Sequence, residues 1–238
     1  MFLVFDTETT GLPKRWDAPI SDHENWPRCI QIAWQLHDGF GNCIEHKDFT
    51  VTPDGFDIPY ESEQIHGIST ALATKEGSAI NAILADFTVA LAKSKYIIGH
   101  NVKFDVNIIG AELDRSGLDT SITKTPILDT CTEHTAALCQ IPGGRGGRFK
   151  LPTLSELYKQ LFDDSFDQVH NATADVEATA RTFFELLRQN KFPVNQITNG
   201  ELLVSRLNET FKKSVPLIGL SHTNLKEASA KLIQDMQA

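Results

Sequence analysis

Short apolar runs and longer helical patterns alternate along the chain, and this alternation predicts a mixed sheet flanked by helices. Residues 2–5 are apolar and are followed by Asp6, which predicts a buried strand that ends in a loop. Residues 29–37 and 43–51 are two further predicted strands, and the segment between them, DGFGN, is typical of a hairpin. Because strands come first and then alternate with helices, we expect an α/β protein.

The remaining secondary structure follows from the spacing of apolar residues. Short buried strands are predicted at 96–100 and 127–129. Helical spacing marks five segments, over 78–93, 104–111, 130–139, 153–161 and 172–189. Two segments fit neither pattern, and we expect them to be an insertion over 13–28 and a mobile loop over 142–150 that carries three positive charges.

Charge and helical pattern separate the last part of the chain from the rest. Residues 1–190 hold 16 Lys and Arg against 27 Asp and Glu, whereas residues 191–238 hold 6 against 4. Helices are predicted over 200–213 and 223–236, and helices this short need an apolar surface to pack on. We therefore expect a main domain over 1–190 and a helical extension over 191–238 that packs on the body or binds a partner.

Composition excludes several classes of protein. With 238 residues, 41% of them hydrophobic, the chain can bury a core without disulfides, and its four cysteines form no CxxC pair. No apolar run approaches the ~20 residues of a membrane span, and the first residues lack the basic segment of a secretory signal. We therefore expect a cytoplasmic protein that does not bind a membrane. The net charge of −9 argues against a surface that binds a polyanion everywhere.

Carboxylates near the ends of two strands are the first candidates for chemistry. Asp6 and Glu8 lie two apart, so both point to one face, and two like charges so close need a cation unless they belong to a solvated turn. Asp105 falls in the first turn of a helix that follows a buried strand, where loops often build sites. The alternative is that Asn101 is an N-cap and Asp105 a favourable first-turn acid.

Two further candidates lie at the start of the predicted helix over 172–189. Positions five apart in a helix point ~140° apart, so His170 must lie in the preceding loop if it shares a site with Asp175. Asn171 is then the N-cap, and the alternative is a capped surface helix with an unrelated histidine. Together, four carboxylates and a histidine are what two-metal hydrolysis of a phosphodiester requires, with neutral histidine accepting a proton from water.

Three motifs in this order resemble those of the DEDDh family of 3′-to-5′ exonucleases. They are FDTETTG at 5–11, GHN at 99–101 followed by Phe104 and Asp105, and HNA at 170–172 followed by Asp175. Further segments that resemble the family are IHGI at 65–68, LDT at 128–130 and LPTLSEL at 151–157. The resemblance therefore covers roughly residues 1–190. The proofreading epsilon subunit of bacterial DNA polymerase III is the best-known member, and segments 13–28 and 142–150 depart from its pattern.

The resemblance implies an RNase H-like fold, with a five-stranded mixed sheet in the order 3-2-1-4-5 whose second strand is antiparallel. It implies that two magnesium or manganese ions are held by Asp6, Glu8, Asp105 and Asp175 and that His170 is the general base. The residues implied to contact the terminal nucleotide are Thr7, Thr9, Thr10, Leu12, His66, Asn101 and Phe104. The alternatives are a turn residue for His66 and a core residue for Phe104.

The function implied by the resemblance is release of nucleoside monophosphates from the 3′ end of single-stranded DNA, as in proofreading or repair. An RNA 3′-end trimming exonuclease and a non-catalytic nucleic-acid-binding or scaffold module are the alternatives. By resemblance to epsilon-type chains, the extension over 191–238 is a candidate contact to a polymerase subunit. Trp16, Trp26 and Trp34 are candidates for base stacking, although a core position is expected for Trp34.

Overall fold

Five strands form one mixed sheet at the centre of the fold. The computed structural model describes residues 1–166 and 171–218. Its strands are β1 (Phe2–Thr9), β2 (Cys29–His37), β3 (Cys43–Thr50), β4 (Tyr96–Gly99) and β5 (Ile127–Asp129). The strand order is β3-β2-β1-β4-β5. Strand β2 is antiparallel to both β1 and β3, whereas β1, β4 and β5 run parallel, so the expected topology is confirmed.

Helices connect the strands and cover the sheet. They are α1 (Tyr60–His66), α2 (Thr70–Glu76), α3 (Ile80–Lys93), α4 (Lys103–Arg115), α5 (Glu133–Cys139), α6 (Leu154–Phe162), α7 (Ala172–Arg188) and α8 (Gly200–Ile218). Within the described ranges, none of these helices combines the length and the apolar character needed to cross a membrane.

The alternation of β1 assigns its side chains to two separate hydrophobic cores. Leu3 and Phe5 point to one face and pack in a core with residues of α3 and α4. Phe2 and Val4 point to the other face and pack in a core with residues of α7. The same period of two continues into the polar end of β1, so Asp6 and Glu8 lie on the α7 side and Thr7 on the α4 side.

Register fixes which end of the sheet carries chemistry. Phe2 pairs with His37 and Glu8 with Gln31 across β1 and β2. Strand β4 pairs with β1 only from Phe2 to Val4, so the polar end of β1 extends past the end of its parallel neighbour. The hairpin that joins β2 to β3 consequently lies at the opposite end of the sheet from Glu8.

Within the described residues the predicted strands and helices are confirmed, and one region holds two helices that were not predicted. Helices α1 and α2, over residues 60–76, were not expected from the spacing of apolar residues. Each has seven residues, and each buries a single side chain, Ser62 in α1 and Ala73 in α2. Two helical turns with a single buried position cannot show a helical period. The spacing of apolar residues therefore does not predict these two helices.

The described part of the extension packs on the main body. Phe192, Ile197, Leu203 and Val204 are buried in the core that includes α7. Helix α8 continues to Ile218, five residues beyond the end of the helix expected over 200–213. The second predicted helix, over 223–236, lies outside the described residues. The division into a domain over 1–190 and an extension over 191–238 remains a prediction.

Candidate active site

Three carboxylates meet at the polar end of β1. Oxygen atoms of Asp6, Glu8 and Asp175 all lie within 4.8 Å of one another. Asp175 reaches this point because α7 begins beside β2: the Ala172 amide donates a 3.3 Å hydrogen bond to the side-chain oxygen of Gln31, the register partner of Glu8. The expectation that Asp6 and Glu8 share one face is confirmed, and the start of α7 supplies the third acid.

Asp105 approaches the same end of β1 from the first turn of α4. One of its carboxylate oxygens accepts hydrogen bonds from the Thr7 amide, at 3.0 Å, and from the Thr7 hydroxyl, at 2.6 Å. Thr7 lies on the α4 face of β1, as the alternation requires. Thr7, expected at the terminal nucleotide, therefore orients the fourth acid and lines the same cleft.

Burial and mutual repulsion hold protons on this cluster. Burial, followed by the charges of Asp105, Asp175 and Glu8, raises the pKa of Asp6 well above its usual range. Burial and the charges of Asp175 and Asp105 raise the pKa of Glu8 to about 8. Burial also raises the pKa of Asp105 to about 7, although the hydrogen bonds from Thr7 lower it. A cation bound among these acids would stabilise their ionised form.

The donor set fits a divalent metal ion. Carboxylate oxygens are the ligands that magnesium, manganese and calcium prefer, and a spread of 4.8 Å allows the three acids to contact a common ion. A bound cation would also offset the repulsion that raises the pKa values of Asp6 and Glu8. Divalent-metal dependence therefore agrees with both the geometry and the electrostatics of the cluster.

The acids lie in a cleft with a volume of about 670 Å³. Its other walls come from three places: the connection from β4 into the first turn of α4, the second residue after β5, and the segment that leads into α6. The lining residues beyond the acids are Thr7, His100, Asn101, Phe104, Cys131, Leu151, Pro152, Thr153, Leu154 and Ser155. Asn101 and Phe104 were expected at the terminal nucleotide, and the structure places both beside the acids.

The sequence alone does not predict that residues 151–155 form a wall of the cleft. His100 ties this wall to the sheet, because its two ring nitrogens lie 3.0 Å from the Thr130 hydroxyl and 2.9 Å from the Pro152 carbonyl oxygen. Helix α6 begins there with a capping box between Thr153 and Glu156. The TLSE sequence carries that capping signal, so the start of the helix was visible, but its position at the cleft was not.

Asn101 adopts a conformation that a helix cap would not require. Its φ is +61°, and its amide donates a 2.8 Å hydrogen bond to the Asp129 carboxylate. The N-cap of α4 is Val102, without a side-chain cap. The alternative explanation of Asn101 as an N-cap is therefore wrong. The strained turn instead holds Asn101 at the mouth of the cleft, because asparagine tolerates the left-handed region better than most residues.

The other expected substrate residues do not line this cleft. The Thr9 hydroxyl donates to the Gly11 carbonyl oxygen at 2.7 Å, and the Thr10 hydroxyl accepts from the Arg28 amide at 2.9 Å. Leu12 is 73% exposed, and His66 accepts a 3.1 Å hydrogen bond from the Ile68 amide. Roles for these four residues at the terminal nucleotide stay predictions.

His170 lies outside the described residues, and its role also stays a prediction. The next residue, Asn171, is the N-cap of α7, and its side chain accepts hydrogen bonds from the Thr173 and Ala174 amides. This cap confirms that the helix begins at Ala172, with Asn171 as its N-cap. Asp175 lies in the first turn of the helix, as expected.

Two of the three positive charges of segment 142–150 are paired. Arg148 forms an ion pair with Glu133 at 3.1 Å, and Lys150 forms one with Glu156 at 2.8 Å. Lys150 also donates its amide to the Ile141 carbonyl oxygen, which closes the loop at its base. The cations that sequence analysis grouped together are thus partly neutralised by neighbouring helices.

A mixed sheet with four acids gathered at the end of its central strand is an arrangement suited to the hydrolysis of a phosphodiester. Residues 3–183 match the RNase T family, described as exonuclease. Because the match spans most of the chain, the protein belongs to this exonuclease family. Its class is that of the 3′-to-5′ exonucleases, and its fold is the RNase H-like fold expected from the motifs.

Individual relatives agree with this family. The 3′-5′ exonuclease DinG of Bacillus subtilis is 31% identical over 196 residues, which is 81% of this chain but 18% of that protein. DNA polymerase III PolC-type of Streptococcus thermophilus is 29% identical over 216 residues, 90% of this chain and 13% of that protein. The chain thus spans less than a fifth of the length of these curated relatives.

Solved structures show the same fold. Escherichia coli Exonuclease I in complex with a dT13 oligonucleotide superimposes with a TM-score of 0.63 at 24% identity, covering 79% of this chain and 40% of that one. Its zinc-bound form in complex with single-stranded DNA gives a TM-score of 0.62 at 25% identity, with the same coverage.

Proposed function

We propose that this protein removes nucleoside monophosphates from the 3′ end of single-stranded DNA, in proofreading or repair. The observation that carries the proposal is the cluster of Asp6, Glu8 and Asp175 within 4.8 Å, at the base of a cleft whose wall includes Asp105. The single-stranded DNA bound in the Exonuclease I structures and the PolC-type relatives support this choice of substrate and setting.

Asp6, Glu8, Asp105 and Asp175 would hold two magnesium or manganese ions in this proposal. When bound, such ions supply the positive charge that stabilises the attacking and leaving oxygens of a phosphodiester. The four acids come from β1, α4 and α7, so the protein fixes the ligands on elements that pack in its two cores. Rigid placement of this kind is what orients a phosphodiester for attack.

The protein's own residues have three further roles in the proposed reaction. Thr7 keeps the Asp105 carboxylate aimed at the cleft through its two hydrogen bonds. Phe104 and Leu151 present apolar surface on which the terminal nucleotide can rest. His170 accepts the proton of the attacking water. Histidine suits this role because its side chain ordinarily titrates near neutral pH, so that its neutral form is present to accept a proton.

The extension belongs to the proposal as a link to a larger assembly. Residues 191–238 would connect the domain over 1–190 to a polymerase or to a further domain, a setting that the PolC-type relatives support. The extension packs on the body through Leu207 and Phe211, whose ring centroid lies 3.8 Å from the Arg188 guanidinium, which leaves the residues after them for such a contact. A cytoplasmic location stays a prediction.

One degradation experiment tests the function. The purified chain is incubated with 5′-labelled single-stranded DNA and with RNA of the same sequence, in magnesium, in manganese and in EDTA. We expect a ladder of DNA products shortened from the 3′ end, dependent on the metal and blocked by a 3′-terminal phosphorothioate linkage. Faster degradation of RNA would establish the RNA-trimming alternative. Binding of DNA without metal-dependent cleavage of the DNA or of the RNA would establish the non-catalytic alternative.

A further inference from the structure

Trp16 is the exposed tryptophan of this chain, and it stands beside the cleft. Its side chain is 55% exposed, whereas Trp26 and Trp34 are buried at 2% and 0%. The Trp16 ring lies 5.8 Å from the ring of Phe104, measured between centroids and at an angle of 52°. Because Phe104 lines the cleft together with the acids, this contact places the exposed Trp16 ring next to the wall of the cleft.

A buried side chain fixes the backbone that carries Trp16. Asn25, which is 5% exposed, accepts a 2.7 Å hydrogen bond from the Arg15 amide and donates a 3.0 Å hydrogen bond to the Arg15 carbonyl oxygen. The Lys14 amide donates to the Asn25 carbonyl oxygen at 3.3 Å. Three hydrogen bonds therefore define the chain path immediately before Trp16, in a segment that contains no helix or strand.

Helix α4 also holds the segment that carries Trp16, through hydrogen bonds from Arg115. The Arg115 guanidinium donates to the carbonyl oxygens of His23, at 2.8 Å, and Trp26, at 2.7 Å. The Trp26 indole donates to the Pro19 carbonyl oxygen at 3.0 Å and closes the loop on itself. Since α4 also carries Phe104 and Asp105, one helix sets the position of the exposed ring relative to the acids.

We propose that Trp16, together with Phe104, forms a stacking platform for one nucleobase near the 3′ end of a single-stranded substrate. The inference rests on the proposed function. Stacking on an aromatic face suits every base, so it gives sequence-independent affinity. Stacking also suits this protein because its net charge of −9 repels a phosphate backbone in most places. The fixed backbone before Trp16 reduces the ordering that binding requires.

Substitutions of Trp16 and of Asn25, which fixes the backbone before Trp16, test the platform by steady-state kinetics. Base stacking is worth enough that Trp16→Ala should raise KM by about 5- to 150-fold while kcat changes little. Trp16→Phe keeps an aromatic face and should retain most of the affinity. Asn25→Ala should raise KM in the wild-type background and have no further effect in the Trp16→Ala background, because a positioning residue acts through the ring. The matched control is Phe40→Ala, an exposed aromatic in the hairpin at the opposite end of the sheet.

Abasic substrates identify the stacked base. Oligomers that lack the base of the last, second-last or third-last nucleotide are compared in wild type and Trp16→Ala. The platform predicts that the penalty of Trp16→Ala disappears for one of these positions. A second measurement avoids catalysis: without metal, an intact oligomer should quench the tryptophan emission of wild type, and the quench should be lost in Trp16→Phe because the remaining tryptophans are buried.

The outcomes separate this inference from the proposed function. If wild type degrades DNA but Trp16→Ala behaves like Phe40→Ala, or if its penalty is equal on every abasic oligomer, the platform is overturned and the exonuclease function stands. If wild type neither binds nor degrades any oligomer, the proposed function fails and the platform fails with it. Loss of the penalty at one abasic position, together with the Trp16-dependent quench, supports the platform.

Discussion

Thr7 holds Asp105 by two hydrogen bonds to a single carboxylate oxygen, from its amide at 3.0 Å and from its hydroxyl at 2.6 Å. This pair joins the central strand to α4 across 98 residues of sequence. Thr7 sits between Asp6 and Glu8 but points to the opposite face. The strand therefore contributes two acids from one face and orients another acid from the other.

We expect Thr7→Val to weaken metal binding and activity. Valine keeps the shape but removes the hydroxyl, whose hydrogen bond lowers the pKa of Asp105. Without it the proton on Asp105 is harder to displace, and a hydrogen bond to a charged group is worth about 1.5–3 kcal/mol. The magnesium concentration for half-maximal activity should rise about tenfold or more at pH 7. Thr7→Ser should restore the wild-type value, and a Thr7→Val enzyme with unchanged magnesium dependence would contradict this role.

Asp6→Ala should abolish activity without destabilising the metal-free protein. The substitution removes a ligand, and it also removes a buried carboxyl group whose own pKa is raised by burial and by the charges of Asp105, Asp175 and Glu8. We expect less than a few per cent of wild-type activity and an equal or higher melting temperature in EDTA. Asp86→Asn, which breaks the surface ion pair with Lys47, is the control and should leave activity intact. Substantial activity in Asp6→Ala would rule out the two-metal assignment.

The metal-free protein should lose stability as pH rises. Glu8 has a pKa of about 8 in the folded state, against 4.5 as its ordinary value. The folded state therefore keeps a proton that the unfolded state has lost, and stability falls between about pH 4.5 and about pH 8. Thermal melts in EDTA across this range measure the effect. Glu8→Gln should flatten the curve, and magnesium should restore stability at pH 8; a melting temperature that rises with pH would contradict the raised pKa.

His170→Ala should reduce kcat by a factor of roughly 10² to 10⁴. As a general base, His170 predicts a rate that rises with pH as the imidazole loses its proton and then levels off. The variant should lose this rise while its affinity for manganese, measured by calorimetry, stays unchanged. If the variant instead binds manganese more weakly, His170 is a ligand and another group is the base.

Two truncations separate the structural part of the extension from any contact with a partner. Removing residues 191–238 exposes the core around Phe192, Ile197, Leu203 and Val204, and each such side chain contributes about 1.5–3 kcal/mol by burial. We expect a large fall in melting temperature. Removing only residues 219–238 should leave the melting temperature and the degradation of single-stranded DNA unchanged. A stable, active chain without residues 191–238 would show that the packing of the extension contributes little.

Local patterns predicted the parts of the molecule whose residues are close in sequence. The alternation of β1 gave the shared face of Asp6 and Glu8, and Asn171 gave the start of α7, because each depends on a few neighbouring positions. The strand order came from the family resemblance. The sequence could not predict the hydrogen bonds of Asn25 to Arg15 or those of Arg115 to the insertion. Such bonds form between side chains and backbone groups that only the tertiary fold brings together.

The acid cluster brings Asp175 together with Asp6 and Glu8, which are far from it in the sequence. During synthesis, the first two acids are therefore made well before the third. Ribosomes add about 5–20 residues per second, which places the synthesis of Asp175 roughly 8 to 33 s after that of Glu8. Until α7 has left the ribosome and packed on the sheet, the site lacks one of its three closest acids. Under the proposed function, a half-made chain is harmless to nucleic acid, and the activity arrives only when the central strand and the late helix have met.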